Sequence, residues 1–205
     1  MAEVTTGIRS FLSYPWVYEW VQKIMGADSA RTELMDKFVH PYCVETVLDI
    51  GCGPAEILSY MPGVDYYGFD ISSEYIEKAK LTYGAKAHFF DRNVSIEDLK
   101  TLPSFDLVIM VGVLHHLDDD VAKAVIQIAS KALKKGGRLL TKDPCFEQGQ
   151  NPIARFLISQ DRGQNVRNKL EYSSLVEGHF DQKKIEVSHQ AWIPYTHCIM
   201  ECTKL

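Results

Sequence analysis

A glycine-rich segment directly follows one of the short apolar runs of this chain. It places Gly51, Cys52 and Gly53 after Asp49, which stands two residues before the first glycine. Glycines let a backbone approach a ligand closely and adopt angles that other residues avoid. The dinucleotide-binding fingerprint needs a third glycine three residues after the second, but Glu56 stands there. Because the two carboxylates repel a pyrophosphate and attract a cation, the segment predicts a loop for a ligand that carries an ammonium group.

Two further aspartates end the next two apolar runs. Asp70 stands about 20 residues beyond the glycines, where a carboxylate can accept hydrogen bonds from a ribose diol. Asp91 follows Phe90 and can accept a hydrogen bond from an amino group such as that of adenine. The carboxyl ends of parallel strands meet at one edge of a sheet, so we expect both aspartates near the glycine-rich segment. A ribose diol is common to nicotinamide and adenosyl cofactors, so Asp70 alone does not separate them.

Two adjacent histidines, His115 and His116, follow another apolar run that ends with Val111 and Gly112. Their position predicts that they also lie at the carboxyl edge of the sheet, where open α/β folds bind ligands. Histidine titrates near neutral pH, so either ring is a candidate general base for a hydroxyl or a protonated amine. The alternative is that one of the pair has only a structural role.

The elements that position these residues follow from an alternating pattern between residues 45 and 143. Apolar runs typical of strands buried on both faces cover residues 46–50, 66–69, 87–90, 106–111 and 138–141. Segments with helical character lie between them, at residues 73–83 and 119–134. Repeats of strand and helix predict a parallel sheet with helices on both sides.

The remaining segments flank this core. Gly136 and Gly137 are predicted to end the second helix, behind the cationic Lys134 and Lys135. The patterns predict two helices within residues 8–40, a polar irregular segment at 144–180 with a short helix at 153–159, and strands at 184–187 and 192–202.

Composition narrows the class of protein. The 205 residues carry 22 Lys and Arg against 27 Asp and Glu, a net charge of −5, which disfavours nucleic acid as a partner. The five cysteines form no Cys-x-x-Cys pair, and no apolar run reaches the length of a membrane span, so we expect a cytoplasmic protein with no membrane partner. His197, Cys198 and Cys202 lie close in sequence, but the apolar residues between them favour a strand, so no metal is expected.

The five motifs, in this order and spacing, resemble those of class I S-adenosylmethionine-dependent methyltransferases. They include Asp49-Ile50-Gly51-Cys52-Gly53, Gly68-Phe69-Asp70-Ile71, Phe90-Asp91-Arg92, Val111-Gly112-Val113-Leu114-His115-His116 and Lys135-Gly136-Gly137-Arg138. The resemblance covers about residues 44–143 and the two closing strands. It implies an α/β fold, a Rossmann-like three-layer sandwich with a seven-stranded, mostly parallel sheet whose last strand is antiparallel. It also implies S-adenosylmethionine as cofactor and S-adenosylhomocysteine as product.

The resemblance further implies roles for individual residues. Asp49, Gly51 and Gly53 would hold the methionine moiety, with Cys52 in the same loop, and Asp70 would hold the ribose. Asp91 would bind the adenine, with Ile71 and Arg92 packed on or beside it. Val111 and Gly112 would pass close under the cofactor.

The acceptor pocket is predicted from what covers the sheet edge. Tyr14 and Tyr18 share one face of the first N-terminal helix and can cap the cofactor, although core packing is the alternative. Arg162 and Arg167 in the polar segment can bind a carboxylate, a phosphate or a sugar acid. Tyr195, with His197, can reach the same pocket from the last strand.

We therefore expect one methyltransferase domain over residues 1–205. Its parts are an N-terminal helical cap at 1–43, a cofactor-binding core at 44–143, a substrate lid at 144–180 and closing strands at 181–205. The expected activity is O- or N-methylation of a small-molecule acceptor by a monomer or homodimer. The alternatives are a non-catalytic S-adenosylmethionine-binding regulatory module and, disfavoured by Glu56, a nicotinamide-dependent oxidoreductase.

Overall fold

A computed structural model describes residues 27–161, 163–190 and 194–205. Its eight described strands are β1 (Thr46–Ile50), β2 (Asp65–Phe69), β3 (His88–Phe90), β4 (Phe105–Val111), β5 (Leu133–Phe146), β6 (Arg167–Asn168), β7 (Gln182–Gln190) and β8 (Tyr195–Thr203). Its five described α-helices are α1 (Ala27–Phe38), α2 (Ser73–Tyr83), α3 (Asp119–Ala132), α4 (Pro152–Ser159) and α5 (Lys169–Leu175). None of the helices in these ranges has the length and apolar character that crossing a bilayer requires.

The main sheet has the order β3-β2-β1-β4-β5-β8-β7, and the two-residue β6 pairs with β5 outside this path. Strands β1 to β5 pair in parallel, whereas β8 runs antiparallel to both β5 and β7. The expected α/β fold, with a mostly parallel sheet and an antiparallel last strand, is thereby confirmed. The carboxyl ends of β1, β2, β3 and β4 lie at one edge, where the first four motifs lie, whereas the fifth lies near the start of β5.

The sheet separates two apolar layers. One layer contains β-strand residues such as Leu48, Val108 and Leu139 and packs against α3 and α5. The other contains Val47, Ile109 and Leu140 and packs against α1 and α2. Alternate residues of a strand point to opposite faces, so the register fixes which polar residues share a face beyond the ends of these apolar runs.

The prediction that Gly136 and Gly137 end a helix is wrong. Helix α3 ends at Ala132, and the two glycines lie inside β5. The Gly136 N–H donates to the Lys204 carbonyl at 2.6 Å, and the Lys204 N–H donates to the Gly137 carbonyl at 3.0 Å. These long-range hydrogen bonds hold the two glycines in the sheet, although their type and position favoured a helix end.

Two further segments differ from the expected pattern. A five-residue 3-10 helix (Glu56–Tyr60), and not a regular α-helix, follows the glycine-rich loop. Residues 144–180 are not uniformly irregular, because they contain the end of β5, α4, β6 and α5. Tyr172 and Leu175 of α5 are buried in the core, so part of this segment belongs to the folded body of the protein.

Helix α3 positions the segment that follows β4, and its first turn is capped by Asp118. The Val121 N–H donates to Asp118 Oδ1 at 2.9 Å. We expect Asp118→Ala to lower the free energy of unfolding by about 1 kcal/mol, the usual cost of losing an N-cap. Denaturant unfolding measures the change. Asp118→Asn keeps a capping oxygen and serves as the control, so an equal loss in both variants would contradict the capping role.

Candidate active site

The glycine-rich loop leaves β1 through a backbone conformation that favours glycine. Gly51 has a φ of +75°, and its N–H donates to the Phe69 carbonyl at 2.7 Å. A Cβ built on Gly51 would lie 2.5 Å from Val113 Cγ2, so the loop also passes too close to the end of β4 for a larger residue. Ala55 at the end of this loop has a φ of +57°, although it is not glycine. The loop therefore holds a tight path beside Val113 at the carboxyl edge.

Asp49 lies beneath this loop and is only 3% exposed. Its Oδ2 accepts a hydrogen bond from the Tyr66 hydroxyl at 2.5 Å. Burial raises the pKa of Asp49 to about 7, against the lowering effect of this hydrogen bond, and the nearby Asp70 raises it further. A cationic group bound nearby would favour the ionised carboxylate, as the predicted methionine ammonium requires.

Asp70 shapes the loop with both of its carboxylate oxygens. Its Oδ2 accepts from the Gly53 N–H at 2.8 Å, and its Oδ1 accepts from the Ser72 N–H at 2.8 Å. A carboxylate has about four acceptor positions, so each oxygen retains capacity for a ribose hydroxyl. The partly exposed Asp70 therefore fits the ribose role implied by the sequence and also fixes the glycine loop.

The residues predicted around adenine are accessible at the ends of β2 and β3. Ile71 is 49% exposed, which is unusual for a large apolar residue beside a core strand and suits packing against a flat ring. Asp91 is exposed and accepts weakly from the Ser73 hydroxyl at 3.4 Å. Arg92 is paired with Asp98 at 2.6 Å and extends over the rings of Phe69 and Phe90.

Three other predicted cofactor residues line the same edge. The buried Cys52 packs against Gly68, where a Cβ would lie 2.8 Å from its Sγ, and burial raises the pKa of its thiol. Val111 and Gly112 are partly exposed at the end of β4, and the Gly112 N–H donates to the Lys142 carbonyl at 2.8 Å. The structure thus brings the described cofactor candidates to one edge of the sheet.

His115 is buried, 5% exposed, between two aspartates. Its Nδ1 lies 2.9 Å from Asp143 Oδ1, and its Nε2 lies 3.2 Å from Asp161 Oδ1. The hydrogen bonds and charges of Asp143 and Asp161 outweigh desolvation and raise the pKa of His115 to about 9. The same imidazolium lowers the pKa of Asp161, against the raising effect of burial. In this arrangement His115 carries a proton at neutral pH.

The second histidine lies against the first. The ring centroids of His115 and His116 are 4.0 Å apart, and His116 is partly buried. Within the described ranges, His115, His116 and Asp161 each offer one ligand atom, and all three atoms lie within 4.8 Å of one another. The donor set suits either a shared proton or a metal ion, and the absence of a metal stays a prediction.

The loop after α4 covers His115. Besides the Asp161 contact, the Asn165 N–H donates to the His115 carbonyl at 2.9 Å. A Cβ on Gly163 would lie 2.0 Å from His115 Cδ2, so only glycine allows this approach. The Tyr195 hydroxyl donates to Asp161 Oδ2 at 2.8 Å and ties the same loop to β8. An acceptor can reach Nε2 of His115 only by replacing Asp161.

The prediction that Arg167 binds the acceptor is wrong. The guanidinium group is buried and donates to the Asp119 carboxylate and to the carbonyls of Leu114, Leu117 and Asn165. These contacts engage both terminal nitrogens and Nε, so no donor is directed toward a ligand. Arg167 instead fastens the His115 turn to the start of α5.

Tyr14, Tyr18 and Arg162 lie outside the described residues, so their predicted roles stay predictions. Sequence reasoning missed Asp143 and Asp161 as partners of His115. Asp143 comes shortly after the apolar run at residues 138–141, just as Asp70 follows the run at 66–69, and this signal could have found it. No such signal marks Asp161, because it lies in a polar loop.

Residues 48–139 match a family model described as a methyltransferase domain. O-methyltransferase resE of Aspergillus sclerotiorum is 29% identical over 120 residues, covering 54% of this chain and 45% of that protein. A tRNA U34 carboxymethyltransferase of Shewanella frigidimarina is 28% identical over 144 residues, covering 67% of this chain and 42% of that protein.

A solved structure shows the same fold. The S-adenosylmethionine-dependent methyltransferase SibL superposes with a TM-score of 0.70 at 15% identity, covering 96% of this chain and 61% of that one. The chain thus spans less than half the length of the two curated relatives above. The residues present fit the cofactor, since the buried Asp49 faces the loop and Asp70 keeps acceptor capacity beside it. The core of this chain is therefore similar to a methyltransferase domain, and its fold is that of the S-adenosylmethionine-dependent methyltransferase above.

Proposed function

We propose that this protein transfers a methyl group from S-adenosylmethionine to an oxygen atom of a small-molecule acceptor, with His115 as the general base. The observation that carries the proposal is the position of the His115 ring between Asp143 and Asp161 at the edge that bears the glycine loop. A hydroxyl acceptor must lose a proton as it becomes an ether, so a base at this edge favours O-methylation over transfer to a neutral amine.

The cofactor-binding roles follow the sequence prediction. Asp49 and the loop at Gly51 and Gly53 hold the methionine end, and Asp70 holds the ribose. Ile71, Asp91 and Arg92 lie at the adenine end. When bound, the cofactor supplies an electrophilic methyl group on a sulfonium, and the protein mainly holds the acceptor oxygen in line with it.

The proton is handled by His115. His115 acts as a base only after its Nε2 proton has been lost to solvent as Asp161 moves away. Asp143 then holds Nδ1–H, which leaves the Nε2 lone pair to accept the proton of the acceptor hydroxyl. As the new O–C bond forms and the S–C bond breaks, the hydroxyl proton moves to Nε2. Asp143, which still contacts Nδ1, stabilises the resulting imidazolium. His116, whose ring lies beside that of His115, is the second candidate base.

The polar segment supplies the acceptor side of the proposed pocket. Asp161 and Gly163 contact His115, and Tyr195 contacts Asp161, which supports a lid within residues 144–180. The single domain is proposed to consist of a cap (1–43), a core (44–143), a lid (144–180) and closing strands (181–205). Tyr14 and Tyr18 of the cap and Arg162 of the lid are proposed to contribute to the acceptor pocket.

The choice of a small molecule over tRNA rests on charge. The relatives include both O-methyltransferases and tRNA carboxymethyltransferases. A net charge of −5 gives little long-range attraction for a polyanion. Methylation assays on phenolic acceptors and on tRNA would separate the two, and transfer to tRNA alone would overturn the choice of acceptor.

The cofactor site predicts selective binding. We expect calorimetry to show binding of S-adenosylmethionine and S-adenosylhomocysteine but not NAD. Asp70→Ala should weaken both adenosyl ligands by about 10- to 100-fold, because it removes charge-assisted hydrogen bonds to the ribose. Asp120→Ala, a change to an exposed helix aspartate, is the control. A folded protein that binds neither adenosyl ligand would refute the proposal, and NAD binding would favour an oxidoreductase.

The proposed base, His115, should titrate at a higher pH than an ordinary histidine. His115 has a pKa of about 9, so its neutral form should increase about tenfold per pH unit from pH 7 toward 9. Asp161→Asn removes one flanking negative charge, so the midpoint should fall by about one to three pH units.

NMR of the His115 ring protons, assigned with His115→Gln, measures both midpoints without an acceptor. Once an acceptor is known, kcat should rise over the same pH range. A wild-type midpoint near 6.5, unchanged in Asp161→Asn, would contradict the ion-paired histidine.

A further inference from the structure

Lys142 and His197 lie on the α1 face of the sheet, beside the proposed cofactor site. In β5, Leu140 packs in the α1 layer, so Lys142, two residues later, points to the same face. In β8, Ile199 packs in that layer and His197 precedes it by two residues. Lys142 pairs with Ile199 in register, and Pro144 pairs with His197, so Lys142 and His197 are diagonal neighbours across the two strands.

Lys142 is a partly buried cation that no carboxylate of the described residues contacts. Within the described part of the chain, its ammonium group has neither a hydrogen bond nor an ion pair. Burial lowers the pKa of Lys142, and the attraction of Glu33 is opposed by the charge of Arg31. A buried cation is costly unless an anion pairs with it, so this position favours binding of a negative group.

His197 offers a second unused group. Its Nδ1 is buried and has no hydrogen-bond partner among residues 27–161, 163–190 and 194–205. Burial lowers the pKa of His197 to about 3, and the charges of Lys142 and His115 contribute in the same direction. The ring is therefore neutral and carries one N–H donor. A buried polar atom without a partner in the protein can form a hydrogen bond with a bound ligand.

The two groups lie next to the methionine end of the cofactor site. Asp49 pairs with Ile109 of β4, and Val111, two residues farther along β4, pairs with Lys142 of β5. All four residues share one face, and neighbouring strands lie about 4.8 Å apart with a rise of about 3.3 Å per residue. Lys142 is two strands across and two residues along from Asp49, so the two Cα atoms are about 12 Å apart. The sulfonium and ammonium groups of the cofactor add positive charge here, and a carboxylate would balance Lys142.

We propose that Lys142 and His197 form a carboxylate-binding site at the methionine end of the cofactor pocket. This proposal rests on the proposed function. The carboxylate belongs either to the acceptor, which would then be an acidic small molecule, or to the amino-acid portion of the cofactor. In both cases Lys142 supplies the charge and His197 supplies a directional hydrogen bond.

Binding measurements on the whole chain distinguish the two sources. Calorimetry would use wild type, Lys142→Met, Lys142→Arg and His197→Phe. S-adenosylhomocysteine tests the cofactor source, and 5′-methylthioadenosine, which lacks the amino-acid portion, is its control. With S-adenosylhomocysteine present at saturation, 4-hydroxybenzoate tests the acceptor source, and the neutral 4-hydroxybenzamide is its control.

If the carboxylate belongs to the acceptor, wild type should bind 4-hydroxybenzoate more tightly than the amide. Lys142→Met should then reduce this ratio of affinities at least tenfold. If the carboxylate belongs to the cofactor, Lys142→Met should weaken the binding of S-adenosylhomocysteine at least tenfold and leave the affinity for 5′-methylthioadenosine unchanged. In either case Lys142→Arg should retain part of the affinity, and His197→Phe should show a smaller loss for the same ligand.

Two negative results have different meanings. Failure of wild type to bind S-adenosylhomocysteine refutes the proposed function. Normal S-adenosylhomocysteine binding by both wild type and Lys142→Met, with no wild-type preference for the acid over the amide, overturns the carboxylate site alone. Thermal unfolding of each variant shows whether a loss of binding comes from a loss of fold.

Discussion

A buried imidazolium held between two carboxylates joins the parts of this site. Removing a charge from water is costly, and His115 is stable in its charged form only because Asp143 and Asp161 both contact its ring. The three residues belong to the turn after β4, to the end of β5 and to the loop after α4. The ion pair that sets the basicity of His115 is therefore also the contact that closes the loop over it. Access of an acceptor and release of the base depend on the same interaction.

On the α1 face of the sheet, unlike around His115, the charged groups are not paired with one another. Asp49 is a buried carboxylate with a raised pKa, and Lys142 is a partly buried ammonium with a lowered pKa. Each group lacks an opposite charge in contact within the described residues, and each is suited to one charged group of an amino acid. The strand register brings these groups to one face of the sheet, two strands apart. The protein thus pairs opposite charges around His115 and leaves charged groups unpaired among the described residues where the methionine end of the cofactor is proposed to lie.

Arg167 shows how a residue type can mislead. An arginine in a polar segment near an acceptor site suggests anion binding, yet the side chain is 5% exposed. Its partners Leu114 and Leu117 stand 53 and 50 residues earlier in the chain. A polar pattern indicates that a segment is hydrophilic, but it does not show which backbone carbonyls the fold will bring to it. Gly136 and Gly137 are a similar case, because pairing with Lys204 places them in a strand.

Local periodicity was sufficient for much of the framework. The apolar run at Thr46–Ile50 and the helical pattern at Ser73–Tyr83 match β1 and α2 in full. The aspartates and glycines at the carboxyl ends of the strands lie at the sheet edge because the direction of each strand fixes where it ends. What the sequence by itself determined was therefore the alternating framework and the order of polar groups along its edge. Only the tertiary structure decided that His115 is paired on both sides while Lys142 and His197 Nδ1 have no described partner, because such pairing depends on contacts between segments distant in the chain.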